Sequence, residues 1–358
     1  MASKATHASL WLPGFEIDAP AYPDLFSSND EAAAPAADLS ADSGESATAD
    51  TAGDLPRPWR PATAQATHQS ADIPAINWPQ WTDSALDGLE GQATKFNANI
   101  EAIAVLRAIE REGRSPTPDE RVALLRFTGW GGIPASFNLD GTDATWKQRA
   151  MQLSELLQPG EYESARASVN NSHYTEPFIV RWIWTALRRL GFEGGRILDP
   201  SSGIGHFLGC MPADIATRSR ITAVELDDLA GRILRALYEP VGLDVRIQVL
   251  EAATLADGSF DLVVSNVPFG NYQVSDGRNR PYSRFSIHNW FVGKALDLVR
   301  PGGLVCLITS AWFLDQRDES ARAHAASLAD LVSAVRLPQG AFMRLASTDV
   351  QSDIVMLR

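Results

Sequence analysis

Two cysteines in 358 residues, Cys210 and Cys306, leave no disulfide framework and no thiolate cluster. Both lie in or beside apolar segments without metal-ligand spacing, which points to reduced packing residues, a site needing no metal and a cytoplasmic setting. No apolar run approaches the length of a membrane span, and no basic start followed by an apolar centre marks a signal peptide. Positive charge is also scarce: 31 Lys+Arg stand against 44 Asp+Glu, a formal net charge of -13. Such a balance opposes broad phosphate-binding surfaces, but its distribution weakens the objection. Residues 1–72 hold eleven acids against Lys4, Arg57 and Arg60, which is -8 of the total and leaves -5 for the remainder.

Ala, Ser, Asp, Pro and Thr dominate residues 27–72, a composition that cannot bury enough apolar surface to fold. Residues 1–72 are therefore expected to be a disordered acidic leader. Within it, Leu10-Trp11-Leu12-Pro13-Gly14-Phe15 reads equally as a docking motif or an incidental apolar cluster. Residues 73–170 read as a helical extension. The spacing of Ile100, Ile103, Ala104 and Leu106 predicts a helix over about 94–112. A second is predicted from Pro118 to about Phe127, with Thr117 as N-cap. Thr128-Gly129-Trp130-Gly131-Gly132 breaks the pattern, and Trp130 is expected to anchor this unit against the core. The chain's 45% hydrophobic content suffices for one sizeable core plus this smaller unit.

Chemistry concentrates after residue 171. Arg196-Ile197-Leu198-Asp199 is a short apolar strand, followed by Pro200-Ser201-Ser202-Gly203-Ile204-Gly205-His206-Phe207, a glycine turn opening a helix. Glycines there let backbone approach a nucleoside-like ligand. A dinucleotide fingerprint would need glycine at 208, which is leucine. S-adenosylmethionine (SAM), a sulfonium without phosphate, fits this turn better than a pyrophosphate does. A second strand, 220–225, ends in Glu225, well placed to accept both ribose hydroxyl protons. Asp227 and Asp228 read as a solvated helix N-terminus. Further on, Phe260-Asp261-Leu262-Val263-Val264 runs into Ser265-Asn266-Val267-Pro268-Phe269-Gly270. This places a carboxamide, a stiffened turn and an aromatic ring at the carboxyl edge of a strand, where open α/β sheets bind ligands.

In order, His173-Tyr174-Thr175-Glu176-Pro177, the Asp-Pro-x-x-Gly-x-Gly-x-Phe loop, Glu225 and Asn-Val-Pro-Phe resemble SAM-dependent N6-adenine DNA methyltransferases of gamma-type motif order. The likeness is greatest to the methylase segment of large phage and plasmid methyltransferase-helicase proteins, including the DarB-like antirestriction proteins. Phe127-Thr128-Gly129-Trp130-Gly131-Gly132 and Phe285-Ser286-Ile287-His288-Asn289 belong to the same likeness, which covers roughly residues 94–358. Val267 departs from the usual Asn-Pro-Pro-Tyr/Phe, yet it keeps the backbone carbonyl, and Pro268 biases residue 267 towards an extended conformation.

The resemblance implies an α/β fold, a Rossmann-like seven-stranded SAM-methyltransferase sheet over residues 171–358. Strands are expected near 196–199, 220–225, 245–250, 260–265, 303–309, 330–336 and 353–358, the last antiparallel and paired with the sixth through a 337–352 hairpin. Seven strands would end the core at Arg358, without a target-recognition domain. Low sequence selectivity, or a partner supplying recognition, is then expected, with a helicase as a further partner.

Implied catalytic residues are Asn266, Val267, Pro268 and Phe269, holding the amino group and face of an adenine flipped out of DNA. Cofactor contacts are expected from Tyr174, Thr175, Asp199, Pro200, Gly203, Gly205, Phe207 and Glu225. Glu251 is either another or part of a solvated turn. Tyr272, Arg278, Arg280 and Arg284, with Tyr282 interleaved, suit phosphate contact and stacking on a splayed strand, or else surface charge. His206 reads as a locally bonded loop histidine rather than a base, and His288 and Asn289 as structural residues after a Ser286 cap. RNA adenine, a protein glutamine side chain and a non-catalytic DNA-binding or packaging role remain alternatives.

Overall fold

The computed structural model describes residues 78–169, 174–275, 277 and 279–358. The expected leader, 1–72, lies outside the described residues, as do the boundary near residue 170, His173 and Arg278.

Among the described residues the extension contains four α-helices: α1 (Gln92–Glu112), α2 (Pro118–Leu125), α3 (Ala144–Leu156) and α4 (Pro159–Ser168). Helix α1 buries Phe96, Ile103, Leu106 and Ile109 along one stripe and stops at Gly113, whose φ of 61° ends it in the left-handed region. Thr117 and Glu120 form a reciprocal capping box on α2, with Pro118 preset in the first turn. That helix ends at Leu125, short of the expected Phe127. Trp130 is fully buried, edge-on to both Phe127 and Phe137, so it anchors the extension internally.

The core follows as α5 (Pro177–Arg189), β1 (Arg196–Asp199), α6 (His206–Gly209), α7 (Ala213–Thr217), β2 (Arg220–Glu225), α8 (Asp228–Tyr238), β3 (Asp244–Ile247) and β4 (Phe260–Asn266). Next come α9 (Ile287–Leu298), β5 (Val299–Ser310), α10 (Trp312–Asp315), α11 (Ser320–Ala326), β6 (Leu331–Arg336), α12 (Met343–Ala346) and β7 (Ser352–Leu357). The seven strands form one sheet in the order β3-β2-β1-β4-β5-β7-β6. Pairings β1–β2, β1–β4, β2–β3 and β4–β5 are parallel, whereas β7 runs antiparallel between β5 and β6.

The strand order reverses between β1 and β4, so the ends of these strands open a crevice at the topological switch point. Strands β1 and β4 lie centrally, with Ile197 and Leu198 of the one and Leu262, Val263 and Val264 of the other fully buried, as suits a parallel sheet covered on both faces. On α5, Ile183, Trp184 and Leu187 are buried, and the Trp184 indole donates to the Phe207 carbonyl at 2.8 Å, tying the helix to the glycine turn. Strand β3 is shorter than expected: it stops at Ile247, and Leu250–Ala252 forms a 3-10 turn.

Candidate active site

The glycine turn after β1 and the acid at the tip of β2 are built together. Glu225 accepts the Gly203 N–H through Oε2 and the Asp227 N–H through Oε1, both at 2.7 Å. Gly203 has φ 55°, and a Cβ there would lie 3.0 Å from the Tyr174 ring, so glycine satisfies both backbone and space. Gly205 is different. A Cβ there would meet Tyr238 at 2.8 Å and Leu234 at 2.9 Å, which makes it a packing glycine against α8 rather than the expected cofactor contact.

Asp199 is completely buried, and its Oδ1 accepts the Ser265 hydroxyl at 2.7 Å. Its Oδ2 is buried without a protein partner. Burial outweighs those bonds and lifts the Asp199 carboxyl to about 7. Burial, then the Asp227 charge, raises Glu225 to about 7 as well. Asp227 is not the solvated residue its sequence suggests: only 7% exposed, it caps α8 by accepting the Ala230 N–H at 2.9 Å.

Asn266 ends β4, in register with Ile308 of β5. Its Nδ2 donates to the Thr175 hydroxyl at 3.1 Å, which holds the carboxamide in place. The Val267 N–H donates to the Ile308 carbonyl at 3.1 Å, and the Val267 side chain is buried.

A cavity of about 510 Å³ joins these pieces. It is lined by Asn266, Val267 and Pro268 on one strand end and by Tyr174, Thr175, Pro200, Gly203, Phe207, Glu225 and Glu251 on others. Glu251 is half-buried in its turn. Asp227 joins Glu225 and Glu251, and among the described lining residues there is no lysine or arginine. Such a wall disfavours a phosphate-bearing ligand and suits a cationic one. SAM, with its sulfonium and ammonium, fits this donor set, and the unpartnered Asp199 Oδ2 sits behind the same turn. Asp199 and Gly205 themselves do not line the cavity.

Phe269, expected to stack on the base, is half-buried against the core cluster that includes Tyr282, Ile287 and Trp290, and does not line the cavity. Tyr272 does line it and is 46% exposed. The arginine loop differs from expectation. Arg280 pairs with Asp257 at 2.7 Å and Asp297 at 3.4 Å, and Tyr282 is buried with its hydroxyl on Asp297 at 2.5 Å. Arg284 is exposed outside the lining.

The extension's share in the site was missed. Phe127, Gly129, Ser164, Ala167 and Ser168 line the cavity, because α4 packs on α8 beside Asp227. Arg232 of α8 pairs with Glu110 and Glu161 of the extension, each at 2.6 Å, and with Asp228 at 2.8 Å. The Phe-Thr-Gly-Trp-Gly-Gly motif was the available signal, and two of its residues reach the cavity. No group of three potential metal ligands occurs among the described residues, and none of their helices is long and apolar enough to cross a membrane.

Residues 225–334 match the Eco57I restriction-modification methylase family. Over 275 residues the chain is 25% identical to defense against restriction protein B of Escherichia phage P1, covering 76% of this chain and 10% of that protein. It is 27% identical over 125 residues to the tRNA1(Val) (adenine(37)-N6)-methyltransferase of Serratia proteamaculans, covering 32% of this chain and 48% of that enzyme. This chain thus spans about a tenth of the phage protein and about half of the tRNA methyltransferase. Among solved structures, the methyltransferase subunit of a type I restriction-modification system from Streptococcus thermophilus is similar at 14% identity and a TM-score of 0.46, over 76% of this chain and 67% of that one. The resemblance to the methylase segment of phage antirestriction proteins, drawn from the motifs, is borne out by the family and phage matches.

Proposed function

We propose that this chain transfers a methyl group from SAM to the N6 amino group of adenine in DNA. The single observation carrying this reading is that the Asn266 turn and the Gly203–Glu225 pair line one cavity with no lysine or arginine among its described walls. When bound, SAM supplies an electrophilic methyl on a sulfonium.

The protein's part is to hold and orient. Glu225, already accepting two backbone N–H groups, presents a carboxylate for ribose hydroxyls. The adenine amino nitrogen is a poor nucleophile, because its lone pair is delocalised into the ring. Asn266 Oδ1 and the Val267 carbonyl accept its two protons, drawing the nitrogen towards sp3 and exposing the lone pair. Tyr272, with Phe269 more deeply set, offers the aromatic face for a base that has left the duplex. By holding the base and the donor side by side, the Asn266 turn and Glu225 would supply much of the rate through proximity, and no residue would be required as a general base beforehand. His206 is buried and held near 4, neutral at working pH.

Expression in a methylation-free host, followed by genome-wide mapping of N6-methyladenine beside an Asn266→Ala control, tests this. Signal lost in the control supports the reading, and an unmodified genome in both opposes it. Dense methylation would indicate low selectivity, whereas motif-confined methylation would indicate recognition by this chain or a partner such as a helicase-bearing subunit. An RNA adenine is the second reading, favoured by the relative named a tRNA adenine-N6 methyltransferase. Labelled donor presented with DNA, RNA and protein separates the acceptors.

A further inference from the structure

Beyond the residues lining the cavity, a buried chain of contacts ends on the Asn266 carboxamide. Thr175 is 2% exposed and is gripped twice. Its hydroxyl accepts Asn266 Nδ2 at 3.1 Å, and its carbonyl lies 2.7 Å from His206 Nδ1. A carbonyl only accepts, so Nδ1 carries the proton and the imidazole tautomer is fixed. His206 is itself clamped between rings, with Trp81 at 4.1 Å and Tyr174 at 4.9 Å between centroids. Trp81 belongs to the segment ahead of α1. It is anchored by its indole N–H on the Tyr238 hydroxyl at 3.0 Å and its backbone N–H on the Gly209 carbonyl at 2.9 Å. On the other side of Thr175, Glu176 stands at the N-cap position of α5, and its carboxylate accepts from the Arg344 guanidinium at 3.1 Å.

We infer that Thr175 and His206 are positioning residues for the Asn266 amide, and that Trp81 extends this control to the N-terminal segment. A carboxamide tethered at one end keeps its distance and plane relative to a bound base. The Thr175 hydroxyl, able to accept from Nδ2 or to donate to Oδ1, fixes the place and plane of the carboxamide, and the His206 imidazole fixes the backbone that carries that hydroxyl. The inference rests on the function proposed above only for its effect on rate; the orientation of the amide stands apart from it.

The experiment uses the full chain and two conservative pairs. Thr175→Val removes the hydroxyl at nearly constant volume, and Thr175→Ser retains it. His206→Leu removes the ring donor, and His206→Asn keeps one. The first readout is the Asn266 side-chain NH2 resonance pair, assigned by its loss in Asn266→Asp, with donor absent. In Thr175→Val and His206→Leu the pair is expected to broaden or exchange faster; Thr175→Ser and His206→Asn restore it. The second readout is single-turnover transfer at saturating donor and nucleic acid. It is expected to fall about tenfold to a hundredfold in Thr175→Val and to recover most of that in Thr175→Ser. An amide signal unchanged in both disruptive variants overturns the inference whether or not transfer is seen. So does a loss confined to donor affinity with the saturated rate intact. Absence of transfer by the unmodified chain, with the amide pattern as expected, counts against the proposed function and not against the positioning role.

Discussion

The Ser265 hydroxyl donates to Asp199 Oδ1 at 2.7 Å across the β1–β4 switch point, while Oδ2 of the same carboxylate is buried without a protein partner. This leaves a carboxyl near 7 that is ordinarily close to 3.8. Between those values the folded chain keeps a proton that the unfolded chain has lost, so stability falls as pH rises from about 4 to about 7. Glu225, also near 7, adds to the same slope. Urea midpoints at pH 5 and pH 7.5 should differ less in Asp199→Asn and least in Asp199→Asn/Glu225→Gln. Equal slopes in all three proteins would contradict this.

Donor affinity should run the opposite way. Ribose hydroxyls and a cationic ligand favour ionised carboxylates, so SAM binding should strengthen through pH 7, by roughly tenfold per pH unit below the Glu225 titration. Calorimetry from pH 6 to 8 should show that rise. Glu225→Gln should bind more weakly and with a flatter profile. A pH-independent affinity in the unaltered protein would remove Glu225 from the donor site.

The central strands and their turns were legible because local signals agreed. Strand β4 is an apolar run, interrupted by Asp261 alone before Ser265, that leads into Asn-Val-Pro-Phe, and β1 ends in Asp-Pro before glycines. Glu225 stood out as an acid closing an apolar strand. Burial of Asp227 was not legible, since consecutive acids after a strand look solvated until α4 is packed beside α8. The wall supplied by Ser164 and Ala167 was equally hidden, because small residues carry no chemistry in sequence. Tyr282 and Arg280 looked like a nucleic-acid surface, but Asp297, fifteen residues beyond Tyr282, draws both inward. Phe269 was read for its motif position, while the hydrophobic core beside it competes for the ring.

The Arg232 cluster gives a test of how the extension supports the site. Arg232→Ala leaves Glu161, with an 11% exposed side chain, Arg107 as its one remaining ion-pair partner among the described residues, and removes two ties between α8 and the extension. With Arg232 itself 21% exposed, solvent screens part of the effect, and a loss of about 1–2 kcal/mol is expected in denaturant unfolding. Donor affinity should fall alongside, because α4 forms part of the cavity wall. Unaltered stability and affinity would show that the ion pairs contribute nothing net.

Nucleic-acid contact should follow Tyr272 and not Arg280. Tyr272→Ala should weaken substrate binding by about tenfold, the scale of one lost base–aromatic stack. Arg280→Ala should leave nucleic-acid affinity within about twofold, since its guanidinium is already held by Asp257 and Asp297. Fluorescence anisotropy with labelled oligonucleotides distinguishes the two. The reverse ranking would restore the arginine loop as the contact surface.

A crystal structure of the full chain with bound methyl donor is the most direct measurement. The ribose hydroxyls should rest on Glu225, the sulfonium should face the Asn266 turn, and the Thr175 hydroxyl should still hold Asn266 Nδ2. A donor seated away from Glu225, or protein atoms standing between the sulfonium and the Asn266 amide, would contradict the account.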